Sequence, residues 1–146
     1  MKPHFCNLRL GLLASLILVV GTLAMAPECR AVDLSGTWSG SWNSDRCRHH
    51  GPMCATFTKI NESQYCVHFR GRFFKIMPFR YTVVLDVVSE DDETTQLSGS
   101  SYLGRVFGTF TYSATASATN FNANYSSCKD WGRFCLTRCS TCVKGG

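Results

Sequence analysis

The residues with the most chemical potential here are cysteines, histidines and one basic, aromatic run. Cys135, Cys139 and Cys142 stand in the spacing Cys-x3-Cys-x2-Cys. Three thiolates so spaced suit an iron–sulfur cluster, or zinc with His49 or His50 as a further ligand. The context opposes both. The run ends a short chain with no parallel barrel to hold a cofactor, and disulfide formation competes for the same sulfurs wherever the compartment is oxidising. No metal and no cofactor are therefore expected.

The compartment is read from the N-terminus. Residues 1–31 carry Lys2 and Arg9, then the apolar run LGLLASLILVV (Leu10–Val20), then GTLAMA. That order is the n-region, h-region and small-residue ending of a secretory signal peptide. The apolar run is shorter than the roughly 20 residues a bilayer span needs. Cleavage after Ala31 is preferred, and cleavage after Ala26 is the alternative. The expected location is secreted or periplasmic, with no membrane span once the leader is gone. Removing residues 1–31 leaves 115 residues, 12 Lys+Arg and 9 Asp+Glu, a net charge of +3. So modest a balance gives no case for nucleic acid.

Nine cysteines less Cys6 and Cys29 leave seven, an odd number. Cys128 and Cys135 make the most specific disulfide candidate. A tight hairpin about Trp131-Gly132 would set them opposite one another, within bridging reach. Cys47 and Cys54 bracket Arg48, His49 and His50 and form a second candidate.

The segment HFRGRFFKIMPFR interleaves Arg70, Arg72, Lys75 and Arg80 with aromatics. Those four are the candidate surface-binding residues, fit to grip an anionic polymer or lipid. The plainer reading is a solvated strand face with Phe69 and Phe73 turned to the core. No Ser/His/Asp set and no paired carboxylates have a local signature, so no catalytic residue is assigned and no enzymatic activity is expected. The run Glu90–Glu93 lacks the alternating ligands of a calcium loop and reads as a turn.

The elements that carry these residues are strands. Alternation with period two is widespread, and turn residues punctuate it every 8–12 residues or so. Eight strands are expected: 36–44, 53–61, 65–74, 79–89, 95–103, 105–117, 121–128 and 133–139. Short links favour pairing in order. Eight antiparallel strands of that length would close into a small up-and-down barrel, which removes exposed edges. The domain is expected to span 32–139, with a flexible, cysteine-containing tail over 140–146. GPMCATFTKI (Gly51–Ile60) echoes GRVFGTFTYS (Gly104–Ser113), as two related halves would.

One strand opens LSGTWSGSW (Leu34–Trp42), with Gly36, Trp38, Gly40 and Trp42 sharing a face. Glycine there lets backbones approach, and tryptophan plugs a barrel end. The pattern resembles the Gly-x-Trp opening of lipocalin- and avidin-type eight-stranded barrels. That resemblance implies an interior that binds a small apolar or ring-shaped ligand. The residues by which avidins hold biotin have no counterparts here. As a whole, the chain resembles short secreted proteins of unknown function from planctomycete-type bacteria, which share the LSGTWSGSW-like start and a GRFFKIMPFRY-like middle.

The expected function is non-catalytic binding of a small apolar ligand inside the barrel. Trp38, Trp42, Phe57, Phe69, Tyr81, Phe110 and Tyr112 are the candidate interior residues. Small residues at Ala114, Ala116 and Ala123 are expected to leave the space. The alternative is a surface-acting protein, an enzyme inhibitor or envelope component. Its partner would be an extracellular protein or polysaccharide, met through the Cys/His loop or the basic strand.

Overall fold

A computed structural model describes residues 32–140. The leader-like segment 1–31 and the tail from 141, including Cys142, lie outside the described residues. The strands are β1 (Gly36–Ser44), β2 (His50–Asn61), β3 (Gln64–Phe73), β4 (Met77–Glu90), β5 (Thr94–Tyr102), β6 (Thr109–Ser117), β7 (Asn120–Ser126) and β8 (Trp131–Arg138). One helical turn, α1 (Gly104–Phe107), precedes β6. Each strand pairs antiparallel with the next, and β8 pairs back onto β1, closing the barrel. The alternation is what drives this. In β6 and β7 every second residue is buried, from Phe110 to Ala116 and from Phe121 to Tyr125. A period of two puts those residues on one face, and closure gives that face a common interior.

The turns after β1, β3, β5 and β7 share one end of the barrel. The other end holds the turns after β2, β4 and β6 together with Val32–Ser35 and Cys139. This second end is sealed. Trp38 is fully buried, with ring centroids 5.6 Å from Phe57, which lies 5.0 Å from Phe121. The Trp38 indole Nε1 donates to the Leu34 carbonyl at 3.0 Å, and the Leu34 N–H donates to the Tyr65 hydroxyl at 3.3 Å. Arg138, from the last strand, lies over the Trp38 ring at 4.5 Å. Its guanidinium donates to the carbonyls of Ser35 (2.7 Å), Asp33 (2.5 Å) and Ala118 (2.7 Å). Glycine at position 40 has a steric reason. A Cβ there would run into the Cys135 carbonyl oxygen of β8.

Three expectations are corrected. Residues 105–108 are not strand: Gly104 (φ 84°) and Gly108 (φ 77°) bracket a helical turn, and Val106 points out at 69% exposure. The last hairpin turns earlier than Trp131-Gly132. Ser126 pairs with Trp131, and the turn is Ser127–Asp130, held by the Ser127 hydroxyl accepting from the Lys129 and Asp130 N–H groups. Cys135 therefore faces Asn122 and Ser41, Cys128 sits in the turn, and no Cys128–Cys135 disulfide forms. Cys47 lies in the loop after β1, while Cys54 lies down β2 opposite Ser39, so they too are unbridged. The two echoing segments do fall on β2 and β6, but at different depths. Phe57 sits in the sealed end, whereas Phe110 begins its strand at the other.

Two measurements check this architecture. Arg138→Ala loses three hydrogen bonds and a cation–π contact, so it should destabilise by about 2–4 kcal/mol in urea unfolding. Cys128→Ser and Cys135→Ser should each shift stability by no more than about 0.5 kcal/mol, because neither sulfur is bridged.

Candidate functional site

The open end is hollow. A cavity of about 540 Å³ occupies the half of the barrel below the turns after β1, β3, β5 and β7. Its floor is a layer of rings. Tyr81 stacks at 5.2 Å on Phe69, which lies 5.4 Å from Phe134, and Tyr112 lies 6.2 Å from both Tyr81 and Phe134. Trp42, Met53, Phe73, Phe79, Phe110 and Tyr125 make the walls. Phe73 sits 5.0 Å from Trp42 and 4.5 Å from Phe79 in inclined contacts. Backbone groups anchor the rim rings: the Trp42 indole Nε1 donates to the Arg72 carbonyl at 3.3 Å.

Some of the polar side chains at this space are bonded to one another. Asp130 accepts from the Ser44 hydroxyl at 2.6 Å and the Tyr125 hydroxyl at 3.2 Å. Ser44 in turn accepts from the Cys47 N–H at 2.9 Å. The Tyr112 ring lines the cavity, while its hydroxyl is buried out of reach of that space, beside the Tyr81 hydroxyl. Burial pushes the Tyr112 phenol up to about 12. Burial, with Tyr112 beside it, lifts Tyr81 well above the ordinary value, and burial together with the Asp130 charge lifts Tyr125. At neutral pH all three therefore present neutral O–H groups.

The candidate interior residues divide by depth. Trp42, Tyr81, Phe110 and Tyr112 line the cavity. Trp38 and Phe57 belong to the seal, and Phe69 supports the floor from beneath. Ala114, Ala116 and Ala123 leave no space: all three are buried and none touches the cavity. Of the candidate surface residues, Arg80 reaches the cavity mouth. Arg72 and Lys75 stand near it, and Arg70 is exposed on the outer wall, paired with Cys54 and Arg80. The sequence reading missed Phe79, Tyr125 and Phe134 as lining residues, although their alternation with polar neighbours already marked them as inward. It also missed Ser44, the last residue of β1, and Lys129 and Asp130, which sit in a turn that carries no period. Among the described residues no three His, Cys, Asp or Glu side chains cluster as a metal site would require.

Charge is segregated along the barrel axis. At the open end, Arg46 and Arg48 follow β1, and Arg72, Lys75 and Arg80 surround the turn after β3. Arg105 lies in α1, and Lys129 and Arg133 border the turn after β7; only Asp45 and Asp130 oppose them. The sealed end carries Asp33, Glu62, Asp86, Glu90, Asp91, Asp92 and Glu93 against Lys59 and Arg138. Asp91 there is structural. It accepts from the Glu93 and Thr94 N–H groups at 2.9 and 2.7 Å, and these bonds hold its carboxyl below the usual range.

No family model and no curated protein match the chain. Among solved structures it is similar to a redesigned β-barrel, mFAP1, described as bound to DFHBI. The TM-score is 0.52 at 12% identity, over 73% of this chain and 94% of that one. A second structure, a fluorescence-activating β-barrel designed de novo, aligns at a TM-score of 0.48 and 14% identity, over 71% of this chain and 91% of that one. The likeness to mFAP1 is one of fold.

The buried phenol sets an alkaline limit on stability. An unfolded tyrosine ionises near 10, while Tyr112 in the fold holds its proton to about 12. Below pH 10 neither state loses it, so this site adds no pH dependence. Between about pH 10 and 12 the unfolded chain releases it first, and stability falls by about 1.4 kcal/mol per unit. Tyr112→Phe should flatten that part of the slope in urea unfolding across the same range. An unchanged slope would show that Tyr112 is not the group responsible.

Proposed function

We infer that the barrel is a non-catalytic carrier for a small, mostly apolar ligand, held in the open-end cavity. One observation carries this reading: a cavity at the open end of the barrel, lined mostly by aromatic and aliphatic side chains. A volume of about 540 Å³ falls within the ~300–1,000 Å³ typical of ligand sites. Such sites are mostly apolar, with a few polar groups that fix orientation. The fold relative mFAP1 is itself described as bound to DFHBI, which is compatible with this use of a barrel. The leader-like character of residues 1–31 supports a carrier that works outside the cytoplasm.

Ser44, Tyr125 and Asp130 at the cavity wall engage one another rather than free space, which favours binding over chemistry. Ser44 and Tyr125 are both spent on Asp130.

The test uses the neutral apolar probe N-phenylnaphthylamine and the full chain. Saturable one-to-one binding with enhanced probe emission is expected. Leu103→Trp, which adds bulk at the mouth, should abolish it without lowering the unfolding midpoint. Probe binding that survives Leu103→Trp unchanged would place the site elsewhere and sink this reading.

A further inference from the structure

We propose that the open rim of the barrel docks onto an anionic lipid surface, with the cavity mouth facing the membrane. This goes beyond the ligand reading and stands on separate observations.

The first is where the exposed apolar side chains lie. Ten large hydrophobic residues are exposed among the described residues, and seven of them belong to the open end. Phe74 (62%), Ile76 (83%) and Met77 follow β3; Tyr102 ends β5, and Val106 (69%) and Phe107 lie in α1; Trp131 begins β8. Scattered apolar residues on a soluble surface need no explanation, whereas a group at one site marks an interface. Three of the four turns around the mouth contribute.

The second is charge. The same end carries eight basic side chains against two acidic ones, and the sealed end is acidic. One ion pair, Arg133 with Asp45 at 3.3 Å, removes only part of the excess. Apolar tips ringed by Lys and Arg match the boundary of an anionic bilayer, where rings and aliphatic groups enter the acyl region and cations meet the headgroups. The acidic far end would be repelled, so the field of the molecule turns its mouth toward such a surface. A protein partner would have to offer an acidic, apolar patch of the same shape; a fluid bilayer accommodates any arrangement of tips.

The third is strain at the tip. Phe74 (φ 51°) and Lys75 (φ 65°) are both left-handed, a backbone region in which bulky residues are rare. The turn is closed by the Ile76 N–H donating to the Phe73 carbonyl at 3.1 Å. Asn and Gly suit these φ values far better. The sequence holds a ring and a cation there instead, and both are exposed.

Trp131 makes the test direct. Of three tryptophans, Trp38 and Trp42 are buried and Trp131 is 47% exposed at the rim. The full chain is mixed with phosphatidylcholine vesicles, with and without phosphatidylglycerol, some brominated along the acyl chain. Binding is expected only with phosphatidylglycerol, weakening as salt screens the charges within a Debye length of about 10 Å at 0.1 M. Brominated lipid should quench emission, and Trp131→Phe should remove the quenched component. The double variant Phe74→Asn, Lys75→Gly should bind at least ~10-fold more weakly, since it removes one ring and one cation. It should unfold at a higher temperature, because its backbone strain is relieved. Val88→Asp, at the sealed end, should bind as the parent does. Equal binding to neutral vesicles, unquenched Trp131, or full binding by the double variant would each overturn the proposal. A concentration-dependent dimer in the absence of lipid, abolished by the double variant, would show instead that the rim pairs with itself.

Discussion

The seam between β1 and β8 is the constraint on which the rest of the molecule depends. Seven of the eight strand pairings join neighbours in sequence and cost little loop entropy. The eighth joins the two ends of the domain, and without it the sheet has two open edges. Trp38 and Arg138 lock that seam at one end. The guanidinium lies on the indole face and simultaneously satisfies three carbonyls that would otherwise lack partners. Asp130 locks the other end, gathering Ser44 from β1 and Tyr125 from β7. The two locks differ in kind. The first is an aromatic plug under a cation, and it fills the barrel. The second is a hydrogen-bonded bracket at the wall, and it leaves the lumen clear.

From that difference follows a barrel that is solid at one end and hollow at the other. Trp38, Phe57 and Phe121 meet in the sealed half at centroid distances of 5.0 to 6.5 Å. Above the floor formed by Tyr81, Tyr112 and Phe134, the rings line the wall instead of meeting at the axis. The packed half can bear the stability of the fold, so the hollow half can carry the strained turn at Phe74 and Lys75. Backbone strain gathers where function is placed, because the surroundings must hold it there.

The strands were readable because burial alternates with a period of two; β1 begins and ends where the pattern says. Trp38 and Trp42 were placed on the same inward face, and they are. What the pattern could not carry was depth. Trp38 seals and Trp42 lines, four residues apart on one face, and only the closed register separates those roles. The same holds for Ala114 and Ala123. They pair across β6 and β7, but the rings of the packed half take the space that small residues suggest. Turns were the other blind spot. The final hairpin is fixed by the Ser127 hydroxyl and Asp130, a side-chain device with weak sequence marks, whereas Trp131-Gly132 carries the usual turn signal and lies in strand. α1 is hidden because Gly108 fits a strand in the alternation, whereas Gly104 and Gly108 are both positive-φ brackets of a turn. The rim is not legible in the pattern because its apolar residues sit in a turn, in α1 and at strand ends, and only closure brings them together.

The most direct measurement is native mass spectrometry of the protein purified from its own host, compared with the same sample denatured. A hollow, aromatic, one-ended barrel that serves as a carrier should fly with a guest of a few hundred daltons that is lost on denaturation, and Leu103→Trp should fly bare. Parent and Leu103→Trp chains that both show only the bare polypeptide mass would contradict the carrier reading and leave a barrel whose open end holds nothing but water.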